Sequence, residues 1–221
     1  MPAVRRLVLA VLVAAVVVPV ALAATGDPQK KLTKADQARA RAVSLKLSDL
    51  GQGWTAGPPS KEDSSNPRCS TYNPDQSDLI ETGDYDSPDF SQASGSFVSS
   101  TVGVFRTAAM AKTGYARVVA PQLPKCFAEL FRKGFKKPQS ATIFSSGPVA
   151  FQRFGDRLNA YRIRASVKVP PATVSATIDI VTFNRGRIDV ALIFAGIQRP
   201  LPLAFEQSIV AKVAARAAAA Q

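Results

Sequence analysis

The most informative chemical feature of the sequence is the absence of histidine from all 221 residues. Without an imidazole the chain cannot form Ser-His-Asp or Cys-His nucleophilic sites, HExxH zinc sites, or His-ligated haem and copper centres. The signatures GxSxG, SxxK, GxxxxGK(S/T) and GxGxxG are also missing. We therefore predict a protein that is not an enzyme, has no catalytic residues, and carries no cofactor or metal ion.

Paired carboxylates are the strongest route to catalysis that this composition leaves open. Asp156, Asp179 and Asp189 are the only acids in the region predicted to form the sheet. Asp179 and Asp189 flank a short hairpin loop at 184–186, which would let them face each other as in a carboxylate-dependent hydrolase. Salt bridges to Arg162 or Arg187 account for the same acids equally well.

Basic side chains supply a candidate binding surface. The chain has 28 Lys and Arg against 16 Asp and Glu, and a form lacking residues 1–23 would keep a net charge of +10. Strand alternation places three of the basic residues on one face, with two more just before them: Arg162, Arg164 and Lys168, preceded by Arg153 and Arg157. We expect a monomer whose partner is an anionic envelope polymer, a lipid headgroup at a membrane surface or a small ligand, and not nucleic acid. A solvated outer face is the competing explanation.

The N-terminus reads as a secretory signal peptide over residues 1–23. Arg5 and Arg6 precede an apolar run from Leu7 to Val18, and Ala21-Leu22-Ala23 offers small residues for cleavage before Ala24. An uncleaved membrane anchor is the alternative, because the run is nearly long enough to span a bilayer. Either way, the remaining chain at 24–221 is expected to form one extracytoplasmic domain.

Cys69 and Cys126 are the only cysteines. Export would place them in an oxidising compartment, so we predict that they form a disulfide. A free catalytic thiol is disfavoured because no histidine is present to activate it.

Residues 57–96 are rich in Pro, Ser, Gly and Asn and hold eight of the 16 acids. This composition predicts a long acidic loop or flap, tied to the body by Cys69 and either functional or partly disordered. Two roles are open to it: Asp84, Asp86 and Asp89 as weak calcium ligands, or the whole loop as a protein-binding segment. A solvated loop that balances the basic body explains it better.

Hydrophobic periodicity predicts an α+β fold in the order α-β-α-β-β-β-β-α. A first helix capped by Thr33 would bury Ala35, Ala38, Ala42 and Leu45. About five strands would follow in an antiparallel sheet, with strands at 97–105, 141–151, 158–169, 173–183 and 187–197, the last four forming a meander. Helices are predicted at 107–119, 124–133 and 203–219. In the final strand pair, one apolar face would comprise Ile178, Ile180, Ile188, Val190, Leu192 and Phe194.

The sole tryptophan, Trp54, is expected to pack against the sheet, with a ligand-facing position in a cleft as the alternative.

Several stretches resemble exported actinobacterial sensor-type domains: residues 49–54, the Cys69 loop, residues 104–108 with Ala111, Cys126, and the hairpin at 184–187. The sequence is similar to PknH-like extracellular domains and LpqN-type envelope proteins, whose fold is a PsbP-like sandwich. That resemblance implies a secreted ligand-binding or sensor module of the cell envelope, generally not catalytic, with a cleft beside the sheet. The single possible disulfide departs from the two that PknH-like domains carry.

Overall fold

A computed structural model describes residues 26–58, 68–133, 141–169 and 171–221, so the predicted signal segment lies outside the described residues. Within these ranges no helix is long and apolar enough to cross a membrane. The strands are β1 Gln29–Lys30, β2 Trp54–Ala56, β3 Ile80–Asp86, β4 Phe90–Gln92, β5 Ser96–Phe105, β6 Ala141–Pro148, β7 Arg157–Val169, β8 Ala172–Arg185 and β9 Ile188–Ile197. The helices are α1 Lys34–Val43, α2 Leu47–Leu50, α3 Ala108–Val118, α4 Leu123–Lys133 and α5 Leu203–Ala219.

One sheet organises these elements, with the strand order β1-β3-β5-β9-β8-β7-β6 and with β2 and β4 attached beside β5. The predicted α+β class is confirmed, and the last four strands form the expected meander. The expected count of about five strands was too low. The sheet is also mixed, because β1 pairs with β3 in parallel while the other pairs are antiparallel.

The prediction of a loop from 57 to 96 is wrong over β3 and β4. β3 lies inside the sheet between β1 and β5, although it carries three acids. Two of these acids have partners on neighbouring strands: Lys30 Nζ donates to Asp84 at 2.8 Å, and the Thr101 hydroxyl donates to Asp86 at 2.7 Å. These partners let a polar segment form a strand that its composition does not favour. Residues 59–67, with Glu62 and Asp63, lie outside the described residues.

The sheet has two covered faces, which we call the α5 face and the α4 face. On the α5 face, Phe183, Leu192 and Phe194 pack in a core shared with α1 and α5. On the α4 face, Ile163 and Ile178 pack with Phe131 of α4. The fold is therefore a sheet covered by helices on both sides.

This arrangement corrects the predicted apolar face of the last strand pair. The register pairs Ile180 with Ile193 and Val181 with Leu192, and paired residues share a face. Ile178 and Ile180 therefore lie on the α4 face, whereas Ile188, Val190, Leu192 and Phe194 lie on the α5 face. Both faces are apolar, so sequence alternation alone could not assign one phase.

The first helix begins as predicted, with the Thr33 hydroxyl accepting a hydrogen bond from the Asp36 N–H at 3.1 Å. Of the predicted buried side, only Leu45, just after the helix, is buried, whereas Ala35, Ala38 and Ala42 are exposed. The helix instead buries Asp36, Ala40 and Val43. Asp36 tolerates burial because Thr82 and Arg187 donate to its carboxylate at 2.6 and 2.7 Å. Desolvation alone would raise the pKa of Asp36, but these hydrogen bonds outweigh it and lower the pKa.

Candidate functional site

A groove of about 510 Å³ lies between the second half of α3 and the start of β7. This volume falls in the range of small-molecule sites. Its lining combines two arginines, two polar side chains that can form hydrogen bonds, and four apolar side chains: Arg153, Arg157, Tyr115, Asn159, Ala116, Val119, Phe151 and Leu158. The groove therefore offers positive charge and hydrophobic surface together.

A hydrogen-bond chain fixes the polar part of the lining. The Tyr115 hydroxyl donates to the Thr182 carbonyl oxygen at 3.0 Å and accepts from the Asn159 amide at 2.9 Å. Burial raises the pKa of Tyr115, so the hydroxyl keeps its proton at neutral pH. The arrangement holds α3 against β7 and β8 and leaves the Asn159 side-chain oxygen without a hydrogen bond from the described residues.

The segment before β7 positions the first arginine. The Asp156 N–H donates to the Asn184 carbonyl oxygen at 2.8 Å, which draws the segment against the β8–β9 hairpin. Gly155 has a φ of +72°, and a Cβ there would lie 2.6 Å from the Asn184 oxygen, so only glycine fits. Arg153 Nη2 then donates to the Asp156 carbonyl oxygen at 2.6 Å.

Among the described residues, no acid neutralises either groove arginine. The side-chain bond from Arg153 ends on a backbone carbonyl, and the Arg157 guanidinium forms no hydrogen bond or ion pair with the described residues. The nearby carboxylate of Asp156 instead accepts from the Gly186 N–H at 2.9 Å and from Arg185 at 3.5 Å. Because guanidinium groups stay charged and bind carboxylate or phosphate through two parallel hydrogen bonds, the groove is suited to an anion.

The structure separates the five predicted basic site residues into three places. Arg153 and Arg157 line the groove. Arg162 lies on the α5 face and donates to both oxygens of Asp179, at 2.6 and 2.5 Å. Arg164 and Lys168 are exposed farther along β7.

A buried carboxyl pair lies beneath Arg162. Glu206 in the first turn of α5 is 1% exposed, Asp179 is 2% exposed, and neither Glu206 oxygen accepts a hydrogen bond from the described residues. Burial, and then the adjacent Asp179, raise the pKa of Glu206 to about 9. At neutral pH Glu206 is thus a protonated acid that donates to Asp179, while Arg162 neutralises Asp179.

Replacing Arg162 with Met is expected to lower the free energy of unfolding by about 3 kcal/mol, because it leaves Asp179 as an uncompensated buried charge. Urea denaturation at neutral pH measures the loss. Arg164→Met, on the same strand face but without an ion pair among the described residues, is the matched control and should change stability little. Equal stability of the two variants would show that Arg162 does not compensate Asp179.

The hydrolase hypothesis needed carboxylates that face each other, and the structure does not bring the predicted ones together. Asp189 pairs in register with Asn184 and accepts from its amide at 2.6 Å, on the α4 face. Asp179 pairs with Phe194 on the α5 face. The expectation that Asp179 and Asp189 oppose each other is therefore wrong, and Asp156 is exposed at the hairpin.

In the ranges that the structure describes, no group of three or more acids or cysteines is placed to hold a metal ion. Of the proposed calcium ligands, Asp84 and Asp86 use carboxylate oxygens to accept from Lys30 and Thr101.

Trp54 lies in the core of the α5 face. Its ring is stacked on Phe205 of α5, with 5.8 Å between ring centroids and 3° between planes, and the residue is 7% exposed. Trp54 does not line the groove.

The disulfide supports one wall of the groove. Cys69 and Cys126 are bonded, with 5.5 Å between their Cα atoms, as the sequence predicted. Within the segment that this bond holds, the Tyr72 hydroxyl donates to the Val118 carbonyl oxygen at the end of α3. Val119, the next residue, lines the groove, so the covalent link and the binding surface are structurally connected.

Sequence reasoning missed Tyr115, Asn159 and Glu206. Asn159 carried a signal, since it is a polar residue at an inward position of β7, between buried Ala160 and half-buried Leu158. Tyr115 and Glu206 each lie on a helix, within an otherwise apolar stripe. A single polar residue in such a stripe suggests the exposed side of the helix.

Comparisons with known proteins find a loose structural resemblance and no match in sequence. No family model matches the chain, and no curated protein matches it. Among solved structures, the chain is similar to the extracellular domain of PknH from Mycobacterium tuberculosis, at 12% identity and a TM-score of 0.39, over 83% of this chain and 94% of that one. The resemblance to PknH-like extracellular domains that the sequence predicted is therefore present in the structure as a loose one.

Proposed function

We propose that the protein is an extracytoplasmic binding module of the cell envelope, of the sensor type, whose groove holds an amphiphilic anion. The observation that carries this proposal is that one groove combines an apolar wall with Arg153 and Arg157, which have no acidic partner in the part of the chain that the structure describes. The disulfide supports an oxidising, extracytoplasmic location, because such bonds persist there and are rare in the cytosol.

The lining indicates how such a ligand would lie. Its carboxylate or phosphate head would contact Arg153 and Arg157, and its apolar part would pack on Val119, Phe151 and Leu158. The Asn159 side-chain oxygen would accept from a hydroxyl next to the head group. Each contact binds or orients, and none requires bond breaking, so we propose a binding protein and not an enzyme.

Protein recognition through the acidic region is the weaker proposal. Half of that region's acids lie on or beside β3 and β4, where strand pairing occupies the backbone. A partner protein would therefore contact a sheet surface in this region, and not a free loop.

The ligand class can be tested by isothermal titration calorimetry with hexyl phosphate, hexanol and inorganic phosphate. We expect hexyl phosphate to bind more tightly than either of the other two, since only it uses both parts of the groove. Arg157→Gln should weaken hexyl phosphate about tenfold or more, because hydrogen bonds to charged groups contribute about 1.5–3 kcal/mol. Arg106→Gln, an exposed arginine outside the groove, should leave the affinity unchanged.

Two results would contradict the proposal. Equal affinity for hexanol and hexyl phosphate would show that the arginines do not contribute to binding. Equal weakening by Arg157→Gln and Arg106→Gln would mean that net charge, and not the groove, attracts the anion.

A further inference from the structure

A second basic region lies at the other end of β7. From residue 130 to residue 178 the sequence has nine Lys and Arg and a single acid, Asp156. Arg157 at the groove and Arg164 are seven residues apart on one strand, about 23 Å at the usual strand rise. The basic region around Arg164 is therefore separate from the groove.

The register defines how this region is built. Arg164 pairs with Thr177 and Lys168 pairs with Thr173, both on the α5 face, where Arg162 pairs with Asp179. Arg164 and Lys168 are exposed, and their side chains have no hydrogen bond or ion pair with the described residues. The α5 helix covers the sheet at Asp179 through Glu206, and Thr173 and Ser175 of β8, beyond Asp179, are exposed.

An exposed aromatic ring lies on β6, the strand next to these cations. Phe144 is 66% exposed, more than any other large apolar residue of the described chain. A bulge between Ile143 and Ser145 leaves Phe144 as the extra residue, next to Ser145, which pairs with Arg164. Its strand, β6, is the edge of the sheet. Bulges re-aim side chains at sheet edges, and here the bulge leaves an exposed ring one residue from the position that pairs with Arg164, on the strand next to Arg164 and Lys168.

We propose that Phe144, Arg164 and Lys168 form a docking strip for an anionic membrane surface. Arg164 and Lys168 would contact lipid phosphates, and Phe144 would enter the headgroup layer, where aromatic rings are favoured. The exposed ring favours a membrane surface over an anionic polymer as the partner. A polymer needs only the cations, whereas a bilayer surface also covers an exposed phenyl group. The strip would hold the protein on the membrane independently of what the groove binds.

The test is co-sedimentation of the purified protein with vesicles of phosphatidylcholine alone or mixed equally with phosphatidylglycerol. We expect binding to the mixed vesicles to exceed binding to the neutral ones and to weaken with salt. Arg164→Gln with Lys168→Gln should lower the partition coefficient about 25-fold, since one cation near an anionic surface contributes about fivefold. Phe144→Ala should lower it about threefold or more.

The matched control is Lys31→Gln with Lys34→Gln, which removes two exposed charges near β1, at the opposite edge of the sheet. Equal losses in the two double variants would overturn the strip, because net charge would then explain binding. Insensitivity to Phe144→Ala, with sensitivity to the basic pair, would indicate a polyanion site and overturn the membrane assignment. A dimer in vesicle-free buffer that Phe144→Ala converts to a monomer would assign the strip to a second copy of the chain.

Discussion

The folded protein is expected to become less stable as the pH rises from 5 to 8. Burial raises the pKa of Glu81 and of Asp189 to about 8, and burial with Asp179 raises that of Glu206 to about 9. In the unfolded chain these acids ionise near pH 4. Between those values the folded state holds protons that the unfolded chain has released, so raising the pH favours unfolding.

Each acid that keeps its proton only in the folded state lowers the free energy of unfolding by about 1.4 kcal/mol per pH unit, or about 3 kcal/mol between pH 5 and 7. Glu206 is 1% exposed, whereas Glu81 and Asp189 are only partly buried, so Glu206 is expected to contribute the largest share. Acids with lowered pKa, such as Asp36 and Asp49, lose their stabilising effect only below about pH 4, outside this window.

Glu206→Gln separates this contribution from the others. A glutamine amide donates to Asp179 as the protonated acid does, but it does not ionise. We expect the variant to be more stable than the parent protein at pH 8, with a shallower pH slope, in urea denaturation at several pH values. Glu129→Gln, an acid paired with Lys133 on α4, is the control and should leave the slope between pH 5 and 8 unchanged. A stability that is flat over this range, or a Glu206→Gln slope equal to the parent's, would contradict the assignment.

Loss of the Cys69–Cys126 bond is expected to lower the free energy of unfolding by about 4 kcal/mol. The bond closes a loop with a sequence separation of 57, and the chain-entropy model gives about that value for such a loop. Replacing both cysteines with serine tests it without leaving a free thiol, since the sequence has no other cysteine.

The same double variant tests the connection between the bond and the groove. Tyr72, in the segment held by the disulfide, donates to the end of α3. Without the disulfide this segment should hold α3 less firmly and loosen the groove wall at Val119. We therefore expect the affinity for hexyl phosphate to fall severalfold at a temperature where the variant is still folded. An unchanged denaturation midpoint would contradict the stabilising role, and an unchanged affinity would separate the bond from the groove.

The C-terminal half of the fold was predictable because its side chains alternate in register with one sheet. The meander strands, the Thr33 cap and the single cysteine pair all follow from local pattern or from counting. β3 was not predictable, because two of its acids are accommodated by Lys30 and Thr101, which lie on other strands, 54 and 15 residues away in sequence. Asp36 misled the assignment of the α1 face for the same reason, since its partner Arg187 is 151 residues away.

The chemical type of the candidate site was predictable from the sequence, but its position in the fold was not. Strand alternation grouped Arg162, Arg164 and Lys168, and closeness in sequence added Arg153 and Arg157 to them. Only the structure shows that α3 makes a groove beside Arg153 and Arg157, that Asp179 neutralises Arg162, and that a bulge on the strand next to Arg164 leaves Phe144 exposed. These differences depend on which helix covers each part of a strand, which period-2 alternation does not encode.

NMR of the arginine side-chain Nε–Hε groups during titration with hexyl phosphate shows whether the groove holds the anionic head of a ligand. We expect saturable shifts of Arg153 and Arg157, with Arg106 and Arg164 unmoved. Uniform small shifts of all four arginines, or shifts confined to Arg164, would contradict the proposal, because the anion would then be held by general surface charge or at the other end of β7.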